Sequence, residues 1–261
     1  MDYFNDNKLL WNEKTKHHLN SEFYDLAGFK AGRDSLNPVE IALLGDVKEK
    51  SILHLQCHFG QDTLSLARKG AKATGVDLSD TAILHAKQLN TELNLAAEFI
   101  CSNVYDLNEK AGSFDIVFTS YGTIGWLPDL DKWAEVIRRH LKPGGTFIMV
   151  DFHPVVWMFD DDFTHIKYPY HNHGVITETN KGTYADRNAP IRQISHGWNH
   201  SISEIINALV SHSLNINSFD EYNYSPYNCF NGLIETAPGK FKIERFEDKI
   251  PMVYAIKATR K

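Results

Sequence analysis

The chain has 261 residues, 43% of them hydrophobic and 23% charged, with a formal net charge of −6 at pH 7. That length suits one large domain, or a core domain carrying an insertion. The negative balance and the absence of a long Lys/Arg cluster argue against nucleic acid as the main substrate, and the apolar runs are strand-sized, too short to cross a membrane. The opening M-D-Y-F-N-D-N-K lacks the basic start and apolar core of a signal peptide. Three widely separated cysteines, Cys57, Cys101 and Cys229, form no C-x-x-C pair and suit a reducing compartment. The expectation is a cytoplasmic protein.

In chain order, residues 4–30 mix aromatic and polar side chains and look partly helical. Asn37-Pro38-Val39-Glu40 reads as a helix start, with an Asn N-cap, proline at N1 and glutamate at N3. An alternation follows. S-I-L-H-L (51–55), A-T-G-V-D (73–77), A-E-F-I-C (97–101), F-D-I-V-F-T-S (114–120) and T-F-I-M-V-D (146–151) read as strands. Between them, 62–70, 79–90 and 129–141 read as helices, the second capped by Ser79 and the third carrying Trp133, Val136, Ile137 and Leu141 on one face. Regularity fails from about 152 to 200. A helix at 201–210 and strands at 214–222 and 252–259 complete the series. This spacing predicts an α/β fold: a Rossmann-like, doubly wound, mostly parallel seven-stranded sheet with helices on both faces. Within a single domain, 1–36 form an N-terminal helical lid and 37–151 the cofactor-binding core. Residues 152–200 are an insertion capping the substrate after the fifth strand, and 201–261 supply the last helix and strands.

Ligands of such sheets bind beyond the carboxyl ends of the strands. The first strand runs into L-H-L-Q-C-H-F-G-Q-D (53–62), where a nucleotide-binding fold usually has a glycine-rich turn, yet only Gly60 is a glycine. The candidate contacts in this turn are Gln56, Cys57, His58, Gly60 and Gln61. The second strand ends in Asp77 and Leu78; Asp77, 17 residues after Gly60, is placed to accept hydrogen bonds from two ribose hydroxyls. After the third strand, Asn103 can read an adenine amino group and the Val104 backbone N–H a ring nitrogen. Ser120 and Tyr121 end the fourth strand and face whatever the cofactor donates to. Each alone has a bland reading, as a helix cap, a turn residue or a tight spot in the backbone. Four suitable strand ends in order point to an adenosine site.

The series I-L-H-L-Q-C-H-F-G, G-V-D-L-S, F-D-I-V-F-T-S-Y and L-K-P-G-G resembles the motifs of class I S-adenosylmethionine-dependent methyltransferases, over about residues 50–151. H-L-Q-C-H-x-G, with W-L-P-D-L and D-F-H-P, is similar to a bacterial subgroup that includes small-molecule N-methyltransferases of antibiotic biosynthesis. The chain departs from the family pattern in three places: His54 replaces an acid, Gln56 and His58 stand where glycines do, and Asn103 replaces the acid that contacts adenine. Gln56 and His58 must then take ordinary backbone angles or tolerate strained ones. Their bulk fills the space that a dinucleotide pyrophosphate needs at the first helix. S-adenosylmethionine carries no phosphate, and polar side chains can hold its zwitterionic tail.

The resemblance implies S-adenosylmethionine as cofactor and transfer of its methyl, by in-line displacement, to nitrogen or oxygen of a small molecule. His153, in D-F-H-P, is the candidate base or substrate orienter; otherwise it only fixes the turn at Pro154. Tyr3, Trp11, His17, His18 and Tyr24 of the lid, with Trp126, are candidate substrate and lid residues. His171-Asn172-His173 lacks a third ligand at a recognised spacing, so no metal is expected. Asp160-Asp161-Asp162 is most simply a solvated turn. Two other readings stay open: a macromolecular acceptor, against which stands the missing Asn/Asp-Pro-Pro-Tyr signature, and a binding protein without turnover.

Overall fold

A computed structural model describes residues 2–261. Helix α1 (Tyr3–His18) opens the chain, its first turn capped by the Asp2 carboxylate, and α2 (Leu26–Lys30) and α3 (Pro38–Leu44) follow. Asn37 does not cap α3 with its side chain; its amide donates instead to Glu40 and to the Tyr227 hydroxyl. Next come β1 (Ser51–Leu55), α4 (Gln61–Arg68), β2 (Lys72–Asp77) and α5 (Asp80–Glu92), with the Ser79 hydroxyl accepting from the Ala82 N–H. Then follow β3 (Glu98–Cys101), β4 (Phe114–Ser120), α6 (Leu130–His140) and β5 (Leu141–Phe152). Lys142-Pro143-Gly144-Gly145 form an irregular start to β5, where the pairing with β4 shifts register.

The stretch expected to be irregular contains a hairpin of β6 (Ile176–Lys181) and β7 (Arg192–Gly197). Helix α7 (Ile202–Ser211), capped by Ser201, leads to β8 (Leu214–Tyr222). A second hairpin, β9 (Leu233–Ala237) and β10 (Lys240–Ile243), stands apart from the main sheet, and β11 (Val253–Arg260) ends the chain's last turn through the core.

The main sheet has seven strands in the order β3-β2-β1-β4-β5-β11-β8. The first five run parallel, and β11 is antiparallel to both its neighbours. Parallel strands covered on both faces need apolar side chains in both directions. Accordingly Ile52, Ile116 and Phe118 pack with Leu64 and Ala86 on one face, while Leu53, Leu55 and Val117 pack with Trp133, Ile137, Ile205 and Leu209 on the other. The chain leaves β1 outward to β2 and β3, then returns past β1 to β4. The crevice therefore opens at the carboxyl ends of β1 and β4.

Helix α1 spans that opening. Asn12 ties it to the start of α5, donating to Asp80 (2.9 Å) and accepting from the Ser79 hydroxyl (2.6 Å). Asn7 ties it to β7, its amide exchanging two hydrogen bonds with the His196 backbone (2.7 and 2.9 Å). Among the described residues, no helix is long and apolar enough to cross a membrane.

Candidate cofactor-binding site

A cavity of about 720 Å³ lies over the ends of β1 to β4, under α1 and the β6–β7 hairpin. Gln56, Cys57, His58, Gly60 and Gln61 line it from the first turn, and Asp77 and Leu78 from the second strand end. Asn103 and Val104 line it beyond β3, and Ser120 and Tyr121 beyond β4. The cofactor-site expectations thus converge on one space.

The first turn resolves the question raised by its missing glycines. Gln56 (φ 55°) and His58 (φ 52°) both adopt the left-handed conformation, as does Gly60 (φ 84°). A side chain there costs about 1–2 kcal/mol, so the turn must be held from outside. Cys57 N–H donates to Val76 O (2.9 Å), and His58 N–H to the Asp77 carboxylate (2.8 Å). Gln56 Nε2 donates to Thr123 O (2.8 Å), crossing to the loop after β4. His58 Nε2 meets His18 Nδ1 at 2.9 Å, and its ring lies edge-on to Trp11 and Tyr24. The His58 ring is thereby drawn toward the lid. His54, standing where the family has an acid, turns toward α4 and meets Thr63 Oγ1 at 2.9 Å. Burial pushes its imidazole down to about 3, so it is neutral.

Asp77 accepts from His58 N–H on one oxygen and from Ser79 N–H on the other, both at 2.8 Å. Each oxygen keeps a lone pair for a further donor. Burial pushes this carboxyl up to about 6, against the pull of those backbone N–H groups. Asn103 Oδ1 already accepts from Tyr105 N–H (3.1 Å), closing a short 3₁₀ turn, and retains one lone pair toward the cavity.

Against the end of β4 stand carboxyls that the sequence did not single out as site residues. Ser120 Oγ donates to Asp62 (3.2 Å), and the Tyr121 hydroxyl donates to Glu40 (3.1 Å). Tyr121 is left-handed too (φ 38°), and its ring packs edge-on against Tyr227. Glu40 is fully buried and pushed up to about 8 by burial, then by the nearby Asp62; burial also raises Asp62. Neither carboxyl forms an ion pair among the described residues. Asp151, at the end of β5, holds the loop after β4. It accepts from the N–H groups of Gly122, Thr123 and Ile124 and from the Thr123 hydroxyl. Asp62 and Asp151 follow helix-start and strand-end patterns like Asp77, a signal that could have flagged them; Glu40 was noted only as a capping residue.

His153 lies outside the lining of the cavity, where its neighbours Asp151 and Phe152 stand, and its contacts are those of the turn-fixing alternative. Its Nδ1 accepts from Val155 N–H (3.2 Å), so the proton sits on Nε2, which is 2.9 Å from Glu221. It fixes the turn at Pro154. Of the lid candidates, Trp11, Tyr24 and Trp126 line the cavity, whereas Tyr3, His17 and His18 do not. Tyr3 packs on His196 and Trp198, His17 lies near Glu13 and Asp186, and His18 is buried behind His58. His171 packs against the Tyr170 ring. Asp160 is more than a solvated residue, since it closes its turn by accepting from the N–H groups of Thr164 and His165.

Residues 52–145 match the methyltransferase domain family. An uncharacterized methyltransferase of Synechocystis is 33% identical over 131 residues, 49% of this chain and 59% of that protein. A ubiquinone biosynthesis O-methyltransferase of Coxiella burnetii is 28% identical over 130 residues, 49% of this chain and 55% of that protein. The chain spans about half the length of these curated relatives. Among solved structures, an S-adenosylmethionine dependent methyltransferase from Mesorhizobium loti superposes with a TM-score of 0.60 at 19% identity, covering 88% of this chain and 100% of that one. A geranyl diphosphate C-methyltransferase from Streptomyces coelicolor, solved with S-adenosyl-L-homocysteine, reaches 0.62 at 15% identity, covering 100% of this chain and 98% of that one. The sheet order, the strand-end cavity and the matched segment agree: residues 52–145 match a methyltransferase domain, and the chain has the class I S-adenosylmethionine-dependent methyltransferase fold.

Proposed function

We propose that the chain transfers a methyl group from S-adenosylmethionine to nitrogen or oxygen of a small molecule. The observation that carries this reading is the order of groups around one cavity: the left-handed turn after β1, the Asp77 carboxylate after β2, and Asn103 and Val104 after β3. The residues present fit the cofactor. Gln56 Oε1 and His58 Nδ1 are buried without a hydrogen-bond partner, which suits a polar tail laid across the turn. Asp77 has lone pairs to spare for ribose hydroxyls, and Leu78 and Val104 offer apolar faces to a base.

When bound, S-adenosylmethionine supplies an electrophilic methyl on a sulfonium. The chain's own task is then positioning and exclusion of water. Asp77 would hold the ribose, Gln56 and His58 the amino-acid tail, and Trp11, Tyr24 and Trp126 would close the cavity over both ligands. A volume of about 720 Å³ suits a small acceptor.

Nitrogen is favoured by the end of the cavity near Tyr121. A basic amine would bring Asp62 and Glu40 an ion-pair partner, which neither has among the described residues. Glu40, poised near neutrality behind the Tyr121 hydroxyl, can hold the proton such an amine loses before it attacks. The test is calorimetry with S-adenosylmethionine and S-adenosylhomocysteine, followed by a methyl-transfer screen of small amines, phenols, alcohols and carbon acids. Binding with turnover of amines supports the reading. Binding without turnover of any class would leave a sensor, and transfer to carbon alone would overturn the choice of acceptor atom.

A further inference from the structure

Helix α1 carries three lysines, and two of them pair in the ordinary way: Lys8 with Asp80 (2.7 Å) and Lys16 with Glu13 (2.6 Å). Lys14 differs. It is only 6% exposed, it lines the cavity, and its ammonium stands over the rings of Trp11 (5.0 Å) and Trp126 (5.4 Å). Among the described residues it has no hydrogen-bond acceptor and no ion-pair partner, and burial alone pushes it down to about 8. Removing an ammonium from water is costly, and aromatic faces return only part of that cost. A methionine would fill the same volume without the cost. Lys14 lacks a counter-ion, and it lines the cavity that the proposed ligands would enter.

We propose that Lys14 is the seat for a carboxylate carried into the cavity by a bound small molecule. Two molecules could supply one: the cofactor, through its methionine end, or the methyl acceptor. The cofactor is favoured, because the Lys14 charge also weakens proton binding at His58 and so lies within electrostatic reach of the turn after β1. With the cofactor as source, the seat rests on the methyltransferase reading. Pairing would also tie α1 to the ligand, so that the lid closes on an occupied site.

The test compares S-adenosylhomocysteine with 5′-methylthioadenosine, which has the same adenosyl thioether and no amino-acid tail. Calorimetry is run on wild type, Lys14→Met and Lys14→Arg. In parallel, the Lys14 amine of ¹³C-lysine-labelled wild type is titrated by NMR, its signal assigned by its loss in Lys14→Met. A cofactor carboxylate on Lys14 should make Lys14→Met lose about tenfold or more in affinity for S-adenosylhomocysteine, with 5′-methylthioadenosine within about twofold and partial rescue by Lys14→Arg. The amine pKa should then rise above about 9 in the S-adenosylhomocysteine complex alone. An acceptor carboxylate should leave both affinities unchanged while benzoate, the probe for that arm, raises the amine pKa. A Lys14 amine that answers to neither ligand, with unchanged affinities in Lys14→Met, overturns the proposal. Wild type that binds neither adenosyl compound would defeat the methyltransferase reading instead, and the benzoate titration would still decide the seat.

Discussion

The imidazoles of His18 and His58 meet at 2.9 Å, and that contact joins the lid helix to the turn after β1. Neither ring has a second partner, since His18 Nε2 and His58 Nδ1 are both buried and unpaired. One proton lies between two neutral rings, so one outer nitrogen carries a hydrogen and the other a lone pair. Burial holds both rings well below the usual histidine range, helped for His18 by its neighbours His58 and Lys14.

A group whose folded pKa is depressed contributes stability above its unfolded pKa and loses it as pH falls. The window here opens at about 6.5 and extends downward, at up to about 1.4 kcal/mol per pH unit for each ring. Glu40 and Asp77, whose carboxyls are raised, respond in the opposite direction over much of this range. The useful quantity is therefore the stability gap between wild type and His18→Ala. It should be roughly 1–3 kcal/mol at pH 7.5 and narrow toward pH 5. A gap that stays constant in denaturant melts would mean the two rings do not need to remain neutral.

Asp77→Asn should weaken S-adenosylhomocysteine binding by roughly 1.5–3 kcal/mol, through loss of charge-assisted hydrogen bonds to the ribose. Because the free carboxyl is pushed up to about 6 and the bound form must be ionised, wild-type affinity should fall about tenfold between pH 7 and pH 5. In Asp77→Asn that fall should be much reduced. Unchanged affinity in the variant would remove the ribose assignment.

Gly60→Ala should cost stability before it costs binding. A Cβ at Gly60 would lie 2.6 Å from the Phe99 ring and 3.1 Å from the Ala86 methyl, and the backbone there is left-handed. Strain and overpacking together suggest roughly 2–4 kcal/mol. Thermal melts should show the loss. A variant as stable as wild type but unable to bind would mean instead that the backbone at Gly60 itself approaches the ligand.

His153→Gln should leave kcat/KM within about threefold once an acceptor is in hand, because the ring faces Glu221 and not the cavity. A loss of several hundredfold would restore His153 as a base.

The sheet was legible in the sequence because parallel strands buried on both faces leave nearly unbroken apolar runs, separated by helices with one apolar side. The strand-end groups Asp77, Asn103 and Ser120 were legible for the same reason: once a strand is placed, the position of its last residue follows. Gly60 was legible as a special backbone position, but the Phe99 ring that crowds it comes from β3, and its approach depends on tertiary packing. His153 shows the limit of reading residue type without direction. Of the buried residues of α1, Asn7, Lys14, Thr15 and His18 are polar and Leu10 alone is apolar, so no apolar stripe announced which side of that helix faces the sheet. Glu40 and Asp62 come from different elements, and only the folded chain brings them within range of each other.

The cofactor assignment is tested most directly by a crystal structure of the protein grown with saturating S-adenosylhomocysteine. The adenine should lie between Leu78 and Val104, with both ribose hydroxyls on the Asp77 carboxylate and the amino-acid tail over Gln56 and His58. A cavity without ligand, or one crossed by the His58 ring, would contradict it.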